Sequence, residues 1–589
     1  MKQPIRLIAL GAIIVIMIVI AVFVTRWATN RGQGRHITIE FYNDWAGGHT
    51  GEGIGWFAQI VEERFNMTID YLGAGNMEEL FQSRRAAGDL GDLVIIGTHR
   101  LRETINDGLL LDITGLVETR MTSYTTYFPG AVERARQLTL TDSIYALPIQ
   151  VSTQPASSPR ISGLVPNNGA FLRQDAYMAI GAPTIYTIEN LLAILVDMQR
   201  AVPYSESGQR TYGFSLYSGP EDDTILHTAA AFATLYGGMD WFSSTGFIDF
   251  QNQVFESFLD INGLYLRALK LYFDANQLGI LDPTSQDQSW EDIWEKFEDG
   301  AVLFSWWSWL GMQSFNTPGR AAQGIGYNFI PIMNQRIHHD FSINPSGPNH
   351  PDLVIGVGAN ASNPERIVDF IDWLASPEGN QIVNAGPEGL TWEMENNIPV
   401  LTEFGLSAGV HTGSFRDVEV PSAWGGGTFS QGAWHGNITV PISLYGRELN
   451  PLTGLPFNPR LWPSAAYADV TRLQSEWTAR FGSNTPLDFV LDNGMISAPP
   501  TVNFTRPMDS QNIREMRDAI RPVIETASWQ MIFAGTEAEF YSIWLDMNAV
   551  VHALGWDYVL EHDQRVAEEL FAAQQAALLS HNHLGSIQQ

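Results

Sequence analysis

An alternation of strand and helix patterns near the start of the chain most constrains its fold. Residues 36–43 place Ile37, Ile39 and Phe41 on one face, which is the two-residue period of a strand. A helical pattern over 55–65 and a strand over 68–72 follow, and the same step repeats up to residue 112. Because strand–helix–strand units build parallel sheets covered by helices on both faces, we predict an α/β fold whose ligands collect at the carboxyl ends of the strands.

Length and charge exclude several classes of protein. With 589 residues the chain is too long for one simple core and predicts two to four domains. The net charge of -31, from 64 acidic and 33 basic residues, would repel phosphate backbones, so nucleic acid is not an expected partner. The absence of cysteine excludes disulfides, thiolate metal sites, cysteine nucleophiles and a lipid-modified N-terminal cysteine.

The N-terminal segment carries an apolar run over residues 7–24, preceded by Lys2 and Arg6. The run is long enough to cross a hydrocarbon core as a helix, and it is either an export signal or an anchor. No small-x-small cleavage pattern follows closely, so an uncleaved membrane anchor is favoured over a removed signal. We therefore expect residues 1–35 to be an anchor and tether, and because Arg26, Arg31 and Arg35 follow the run, positive charges flank it on both sides and do not orient it.

A dense tryptophan run, Ala301-Val302-Leu303-Phe304-Ser305-Trp306-Trp307-Ser308-Trp309, follows a predicted helix. Ser289 and Asp292 form a capping-box pattern at the start of that helix, whose Trp290 is expected to face inward. Flat indole faces suit the apolar faces of a sugar ring. The alternative is a core anchor, since tryptophan is highly buried on average. The run alone leaves both interpretations open.

Enzyme and metal signatures are mostly lacking. The sequence contains no Gly-x-Ser-x-Gly elbow and no His-Glu-x-x-His helix, and the glycine-rich loop over residues 45–53 fits neither phosphate-binding fingerprint. His338, His339 and Asp340 could pass for metal ligands but lie in a predicted loop, and we predict neither a metal nor a cofactor. The acidic residues 221–223 would suit a glycosidase, but they equally complement the dipole of a helix that begins near residue 224.

Several motifs resemble one family. They are Gly108-Leu109-Leu110-Leu111-Asp112, Ile144-Tyr145-Ala146-Leu147-Pro148, Pro183-Thr184, Asn363-Pro364-Glu365 with Phe370-Ile371-Asp372-Trp373-Leu374, Ser376-Pro377-Glu378-Gly379, and Gly386-Pro387-Glu388-Gly389. Together they look like the extracellular solute-binding proteins of ABC transporters, family 1, in a longer, lipoprotein-like subgroup. Asn363 is also a candidate helix cap, with Pro364 at the first helical position. The chain departs from the family in lacking the lipobox cysteine and an aromatic residue at positions 97–99.

The resemblance implies a two-lobed periplasmic-binding-protein-like (type II) fold with mainly parallel sheets and a hinge, to which the apolar run over residues 7–24 adds an N-terminal transmembrane helix. The expected divisions are 36–150 for the first part of lobe 1, 151–335 for the first part of lobe 2, 350–395 for the return to lobe 1 and 396–589 for the rest of lobe 2. The lobes would close on ligand by hinge rotation.

The resemblance also implies a function, namely that an extracytoplasmic monomer captures an oligosaccharide and delivers it to permease subunits without catalysing a reaction. A surface-anchored glycoside hydrolase and a ligand-sensing ectodomain remain alternatives. The expected ligand-binding residues, each with a packing or capping alternative, are Trp306, Trp307, Trp309, Trp45, Trp241 and Trp392 for stacking and His99, Gln150, Tyr217 and Asp222 for hydrogen bonds.

Overall fold

The structure is a computed structural model that divides the chain into two compact units. It describes residues 35–44, 50–73, 77–139, 143–149, 151, 164–217, 224–240, 245–338, 353–412, 415–434, 448–466, 470–497, 504, 507 and 509–585. Unit 1 comprises Met1–Thr153 and Pro348–Ala468, and unit 2 comprises Gln154–Gly347 and Asp469–Gln589. Within the described ranges no helix is both long and apolar enough to cross a membrane. The predicted anchor, residues 7–24, lies outside them.

The strands are short and spread over the whole chain. In chain order they are β1 Ile37–Asn43, β2 Gly51–Glu52, β3 Met67–Leu72, β4 Leu93–Gly97, β5 Ala146–Pro148, β6 Asn168–Arg173, β7 Met239–Asp240, β8 Gly246–Asp249, β9 Val254–Ser257, β10 Phe304–Trp307, β11 Tyr327–Phe329, β12 Ile337–His338, β13 Leu353–Val357, β14 Trp392–Glu395, β15 Ile398–Leu401 and β16 Ile496–Ser497.

Helices make up most of the remaining described structure. They are α1 Gly55–Phe65, α2 Met77–Ala87, α3 Thr98–Asn106, α4 Thr114–Arg120, α5 Thr122–Tyr127, α6 Pro129–Thr139, α7 Gln174–Ala179, α8 Ile188–Ala201, α9 Thr224–Thr234, α10 Leu264–Gln277, α11 Trp290–Glu298, α12 Ser308–Phe315, α13 Pro318–Ala322, α14 Pro364–Ala375, α15 Pro377–Ala385, α16 Glu403–Ser407, α17 Pro463–Ala466, α18 Arg472–Phe481, α19 Pro486–Asp492, α20 Gln511–Ile532, α21 Glu537–Ala553 and α22 Trp556–Gly585.

Unit 1 is built on a six-stranded sheet with the order β2-β3-β1-β4-β13-β5. The strands β3, β1 and β4 are parallel, as the alternation of strand and helix patterns predicts. Strand β13 belongs to the return segment and runs antiparallel to both β4 and β5. The carboxyl ends of the three parallel strands therefore lie at one edge of this sheet.

The described residues of the segment 396–468 belong to unit 1, whereas the sequence-based division placed this segment in lobe 2. Large aromatic side chains explain its position. The indole nitrogen of Trp56 donates a hydrogen bond to the Phe429 carbonyl at 3.0 Å, and the two rings stack at 5.2 Å. Trp434 stacks on Phe41 of β1 at 5.3 Å. Burial of these rings joins an irregular segment to a sheet that lies far from it in sequence.

The described strands of unit 2 include one parallel pair, β12 and β16, but do not form the mainly parallel sheet that we expected. In its sheet of order β10-β6-β11, the central strand β6 is antiparallel to both neighbours, and β7-β8-β9 is also antiparallel. Helices α12 and α13 do connect β10 to β11, and these two strands are parallel to each other. Strand β6, which comes earlier in the chain, lies between β10 and β11 in the sheet. The strand–helix–strand pattern is therefore correct, and the direction of the inserted strand is what the pattern could not predict.

Helix starts follow the sequence signals closely. The Ser289 hydroxyl accepts a hydrogen bond from the Asp292 backbone, and the Asp292 carboxylate accepts one from the Ser289 backbone, so the predicted capping box is confirmed. The Ser376 hydroxyl caps α15 by accepting a hydrogen bond from the Gly379 backbone. Pro364 occupies the first turn of α14, but the Asn363 side chain makes no capping hydrogen bond. The expectation that Asn363 caps this helix is therefore wrong, and the fixed backbone angle of the proline marks the helix start instead.

A buried ion pair joins the C-terminal helices of unit 2. Arg517 on α20 donates to both carboxylate oxygens of Asp563 on α22, and the bond from its Nη1 measures 2.8 Å. Thr245 also donates to this carboxylate, which has no exposed surface. Arg517 further donates from Nε to Asp509 at 2.8 Å. Burial alone would lower the pKa of the Arg517 guanidinium, but the two carboxylates raise it above its usual value.

Candidate functional site

Five aromatic rings of unit 2 form a continuous series, which we call the aromatic ladder. Its members are Tyr217, Trp290, Trp294, Trp307 and Trp309. The ring centroids of Trp307 and Trp309 lie 5.4 Å apart and stack at 22°, and those of Trp309 and Trp290 lie 5.5 Å apart. Trp290 lies 5.6 Å from Trp294 and 5.4 Å from Tyr217. Such distances are those of contacting aromatic pairs.

Local structure explains how the ladder forms. Trp290 and Trp294 are four residues apart on α11, so they share one face of that helix. Trp307 ends β10 and Trp309 lies in the first turn of α12, which packs against α11. Trp290, Trp294 and Trp309 are partly exposed, whereas only 3% of Trp307 is exposed. The ladder therefore has an outer part open to solvent and a buried end at Trp307.

The structure places the predicted stacking residue Trp306 in the core of unit 2. Its indole nitrogen donates a hydrogen bond to the Tyr272 hydroxyl at 2.8 Å, and its ring packs edge-on against Phe304 at 4.6 Å. Burial raises the pKa of the Tyr272 hydroxyl well above its usual value, so this acceptor stays neutral. Adjacent residues of a strand point to opposite faces, which is why Trp307 joins the ladder and Trp306 does not. The expected stacking role of Trp306 is corrected to a packing role.

Trp392 of unit 1 also occupies a packing position. It is 6% exposed, donates from its indole nitrogen to the Gly386 carbonyl at 2.9 Å and contacts Trp462 edge-to-face at 5.9 Å. The core interpretation of this side chain therefore replaces the expected stacking interpretation.

A lysine fixes the backbone that carries the ladder. Lys296 donates from Nζ to Asp282 at 2.6 Å and to the amide oxygen of Gln288 at 2.6 Å. Gln288 in turn donates to the Ser215 hydroxyl at 2.8 Å and to the Leu216 carbonyl. These bonds join α11 to the segment that ends in the ladder residue Tyr217, so they hold two parts of the ladder in place.

Asp282 makes this lysine important for stability. Burial raises the pKa of the Asp282 carboxyl, but the hydrogen bond from Lys296 and further bonds from Thr284 and Ser215 outweigh it, and the net pKa is below its usual value. A carboxyl whose pKa is lower in the folded state stabilises that state at pH values above its unfolded pKa, which is near 4. This stabilisation is lost as the pH falls through the folded-state pKa.

We expect Lys296→Met to lower the free energy of unfolding by about 3 kcal/mol at pH 7, because it leaves a buried carboxylate without its cation. Burial would then raise the pKa of Asp282, so the deficit should shrink at about pH 3.5, where the variant carboxyl is protonated. Denaturant unfolding at both pH values measures this. Lys270→Met is the control, because Lys270 pairs with Asp274, whose side chain is 38% exposed whereas that of Asp282 is 2% exposed, and the substitution should cost at most about 0.5 kcal/mol. An equal deficit at both pH values would contradict the prediction.

Polar side chains meet at the carboxyl edge of the unit 1 sheet. Asp44 follows β1 directly, and its carboxylate accepts hydrogen bonds from the Gly97 backbone at 2.9 Å and the Tyr42 hydroxyl at 2.7 Å. Arg100 lies 3.4 Å from the same carboxylate and donates from Nε to the exposed His99 at 3.2 Å. His99 therefore lies at the strand ends, where the sequence placed a ligand site.

The sequence analysis missed some residues of the aromatic ladder and of the polar cluster at the strand ends of unit 1. Trp290 was expected to face inward and Trp294 was not considered, although their four-residue spacing next to the tryptophan run was a usable signal. Asp44 could have been found as the first polar residue after a buried strand. The remaining predicted ligand residues, Trp45, Gln150, Asp222 and Trp241, lie outside the described residues, as do His339 and Asp340.

Comparisons with known proteins add information about the fold. The sequence matches no protein-family model and no curated protein. Among solved structures, the chain is similar to the alginate-binding protein AlgQ2 without calcium ion, with a TM-score of 0.56 and 16% identity over 91% of this chain and 98% of that one.

Two further structures are similar over most of their length. One is an EF-hand mutant of the Streptococcus pneumoniae ABC-transporter substrate-binding protein FusA in complex with fructo-nystose, with a TM-score of 0.55, 15% identity, and coverage of 91% of this chain and 99% of that one. The other is an HMO-binding, ABC-transporter-associated solute-binding protein from Bifidobacterium longum infantis ATCC 15697, with a TM-score of 0.54, 14% identity, and coverage of 92% and 99%. The chain therefore shares the mixed α/β fold of these three binding proteins.

Proposed function

We propose that this chain is an extracytoplasmic solute-binding protein that captures an oligosaccharide and delivers it to an ABC transporter permease. The observation that carries the proposal is the aromatic ladder, whose partly exposed rings at Trp290, Trp294 and Trp309 offer flat apolar faces of the kind on which sugar rings stack. A series of several aromatic rings suits a ligand of several sugar units better than a monosaccharide.

Two further observations support an oligosaccharide. The similar structures carry the names of binding proteins for alginate, fructo-nystose and HMO. The net charge of -31 disfavours anionic ligands, so among glycans it favours neutral ones. Fold likeness alone does not imply function, and the proposal therefore rests first on the ladder.

Capture by closure of the two units is part of the same proposal. Ligand-induced hinge closure is a common response of proteins built from two units, and it would commit the sugar without any chemical step. The bound, closed form would then be the form that a permease recognises. The proposal includes no catalytic role for the chain.

An N-terminal membrane anchor is also part of the proposal. It rests on the sequence alone, because the apolar residues 7–24 are long enough to span the hydrocarbon core and no cleavage pattern follows them closely. The anchor would hold the binding units close to the permease, on the outer side of the membrane.

A thermal-shift screen of the full-length protein in mild detergent tests the function. The panel contains 1-kestose, nystose, maltotetraose, lacto-N-tetraose and an unrelated tetrapeptide. We expect at least one oligosaccharide to stabilise the protein by about 2.7 kcal/mol at a concentration one hundred times its Kd, because ligand binds the folded state alone. The peptide should produce no shift.

Product analysis of the same mixtures separates binding from hydrolysis. We expect stoichiometric binding with the oligosaccharide recovered intact. New reducing ends would overturn the proposal in favour of a glycoside hydrolase, and the absence of a shift with every sugar would overturn it altogether.

A further inference from the structure

Asn168, the first residue of β6, has a buried amide that lacks partners among the described residues. Its side chain has no exposed surface. Across the described parts of the chain, neither its amide oxygen nor its amide nitrogen has a hydrogen-bond partner. Because an unpaired buried amide is destabilising, buried polar groups are nearly always hydrogen-bonded. The exception at Asn168 points to a partner that comes from outside the chain.

The strand register places this amide beside the aromatic ladder. Asn168 lies directly opposite Trp307 in the antiparallel pair of β6 and β10. Residues opposite each other in such a pair project from the same face, with their Cβ atoms about 5 Å apart. The pairing continues beyond Trp307, since the Ser308 backbone donates to the Asn167 carbonyl at 3.0 Å. Asn168 is therefore next to the buried end of the ladder.

The chemistry of an amide complements that of an indole face. A stacked sugar ring presents an apolar face to the indole and projects its hydroxyls sideways. A neutral amide offers one acceptor oxygen and two N–H donors, which match a pair of hydroxyls that both donate and accept. A site that hydrogen-bonds a hydroxyl also rejects analogues that lack it, so such an amide confers specificity as well as affinity.

We propose that Asn168 is a specificity-determining residue whose amide hydrogen-bonds two hydroxyls of a neutral sugar ring at the Trp307 end of the aromatic ladder. This inference rests on the proposed function and adds a polar contact to a surface otherwise composed of rings. Because Asn168 is closed to solvent, a sugar reaches it only when a neighbouring ring moves. Binding should therefore change the tryptophan fluorescence of the protein.

Asn168→Leu in the full-length protein tests the inference, because leucine has a similar size and no hydrogen-bonding atoms. Calorimetric titration with 1-kestose, nystose, maltotetraose and lacto-N-tetraose compares the variant with the wild type. We expect the affinity for the sugar that the wild type binds to fall at least tenfold. The melting temperature of the ligand-free variant should be unchanged or higher, because the substitution removes an unpaired polar group.

Gln335→Met provides a matched control. Gln335 is 5% exposed, lies in the same unit and also has an amide without partners in the described ranges, but it is not opposite a ladder ring. Its substitution should leave sugar affinity within twofold of the wild type. A second variant, Asn168→Thr, removes the amide but keeps a small polar side chain. It replaces the leucine variant if that variant fails to fold, and it should also bind sugar at least tenfold more weakly than the wild type.

The outcomes distinguish this inference from the proposed function. Sugar binding within twofold of the wild type by a folded Asn168 variant overturns the inference and leaves the proposed function intact. Equal weakening by the Gln335 and Asn168 variants also overturns it, because it shows a general effect on packing. Failure of the wild type to bind any of the four sugars overturns both.

Discussion

Replacing Trp309 with alanine should weaken oligosaccharide binding by about 30-fold, which corresponds to about 2 kcal/mol. Trp309 connects the buried end of the ladder to its other rings, since it contacts both Trp307 and Trp290, and it is partly exposed. Removing it takes away a stacking face and also separates the rings on either side. Calorimetric titration with the sugar found in the thermal-shift screen measures the loss.

Trp424→Ala is the control for this prediction. Trp424 is also partly exposed, but it lies in unit 1 and is not part of the ladder. Its replacement should change sugar affinity less than twofold. Equal losses from the two substitutions would show that the effect arises from general destabilisation, and unchanged binding by the Trp309 variant would exclude the ladder as the binding surface.

Asp563→Ala should lower the free energy of unfolding of unit 2 by about 3–5 kcal/mol. The substitution leaves the guanidinium of Arg517, which is 8% exposed, without its bidentate partner, and breaking a buried pair from one side is strongly destabilising. Asp509 remains as a second partner of Arg517, so the expected loss lies nearer the lower value. Denaturant unfolding monitored by tryptophan fluorescence measures it.

An exposed ion pair provides the comparison. Arg200 and Asp197 lie 3.0 Å apart on α8 with most of their side-chain surfaces exposed. Asp197→Ala should cost at most about 0.5 kcal/mol. A loss below about 1 kcal/mol for Asp563→Ala would mean that the C-terminal helices are held by packing alone.

Local sequence signals predicted the local structure well. The alternation of strand and helix patterns gave the parallel strands β1, β3 and β4, and the Ser289 and Ser376 patterns gave the starts of α11 and α15. These features depend on residues that are close in sequence. The directions of β6 and β13 in their sheets do not depend on nearby residues, because each strand pairs with strands more than one hundred residues away in sequence.

The candidate site also combines features that nearby residues predict with features that depend on residues far away in sequence. The tryptophan run indicated an aromatic surface, but strand alternation puts Trp306 and Trp307 on opposite faces of β10. The shift in pairing register between Ser305 and Trp307 makes their orientation hard to predict from sequence. Trp290 and Trp294 join the surface only because α11 packs on α12. That Asn168 has no partner in the described part of the chain has no sequence signal, since it depends on every neighbour in the fold.

A crystal structure with the oligosaccharide selected by the thermal-shift screen tests the central claim most directly. The account predicts a sugar ring stacked about 4 Å from the indole face of Trp309 or Trp290. A sugar that is bound elsewhere, with no ring against any member of the aromatic ladder, would contradict it.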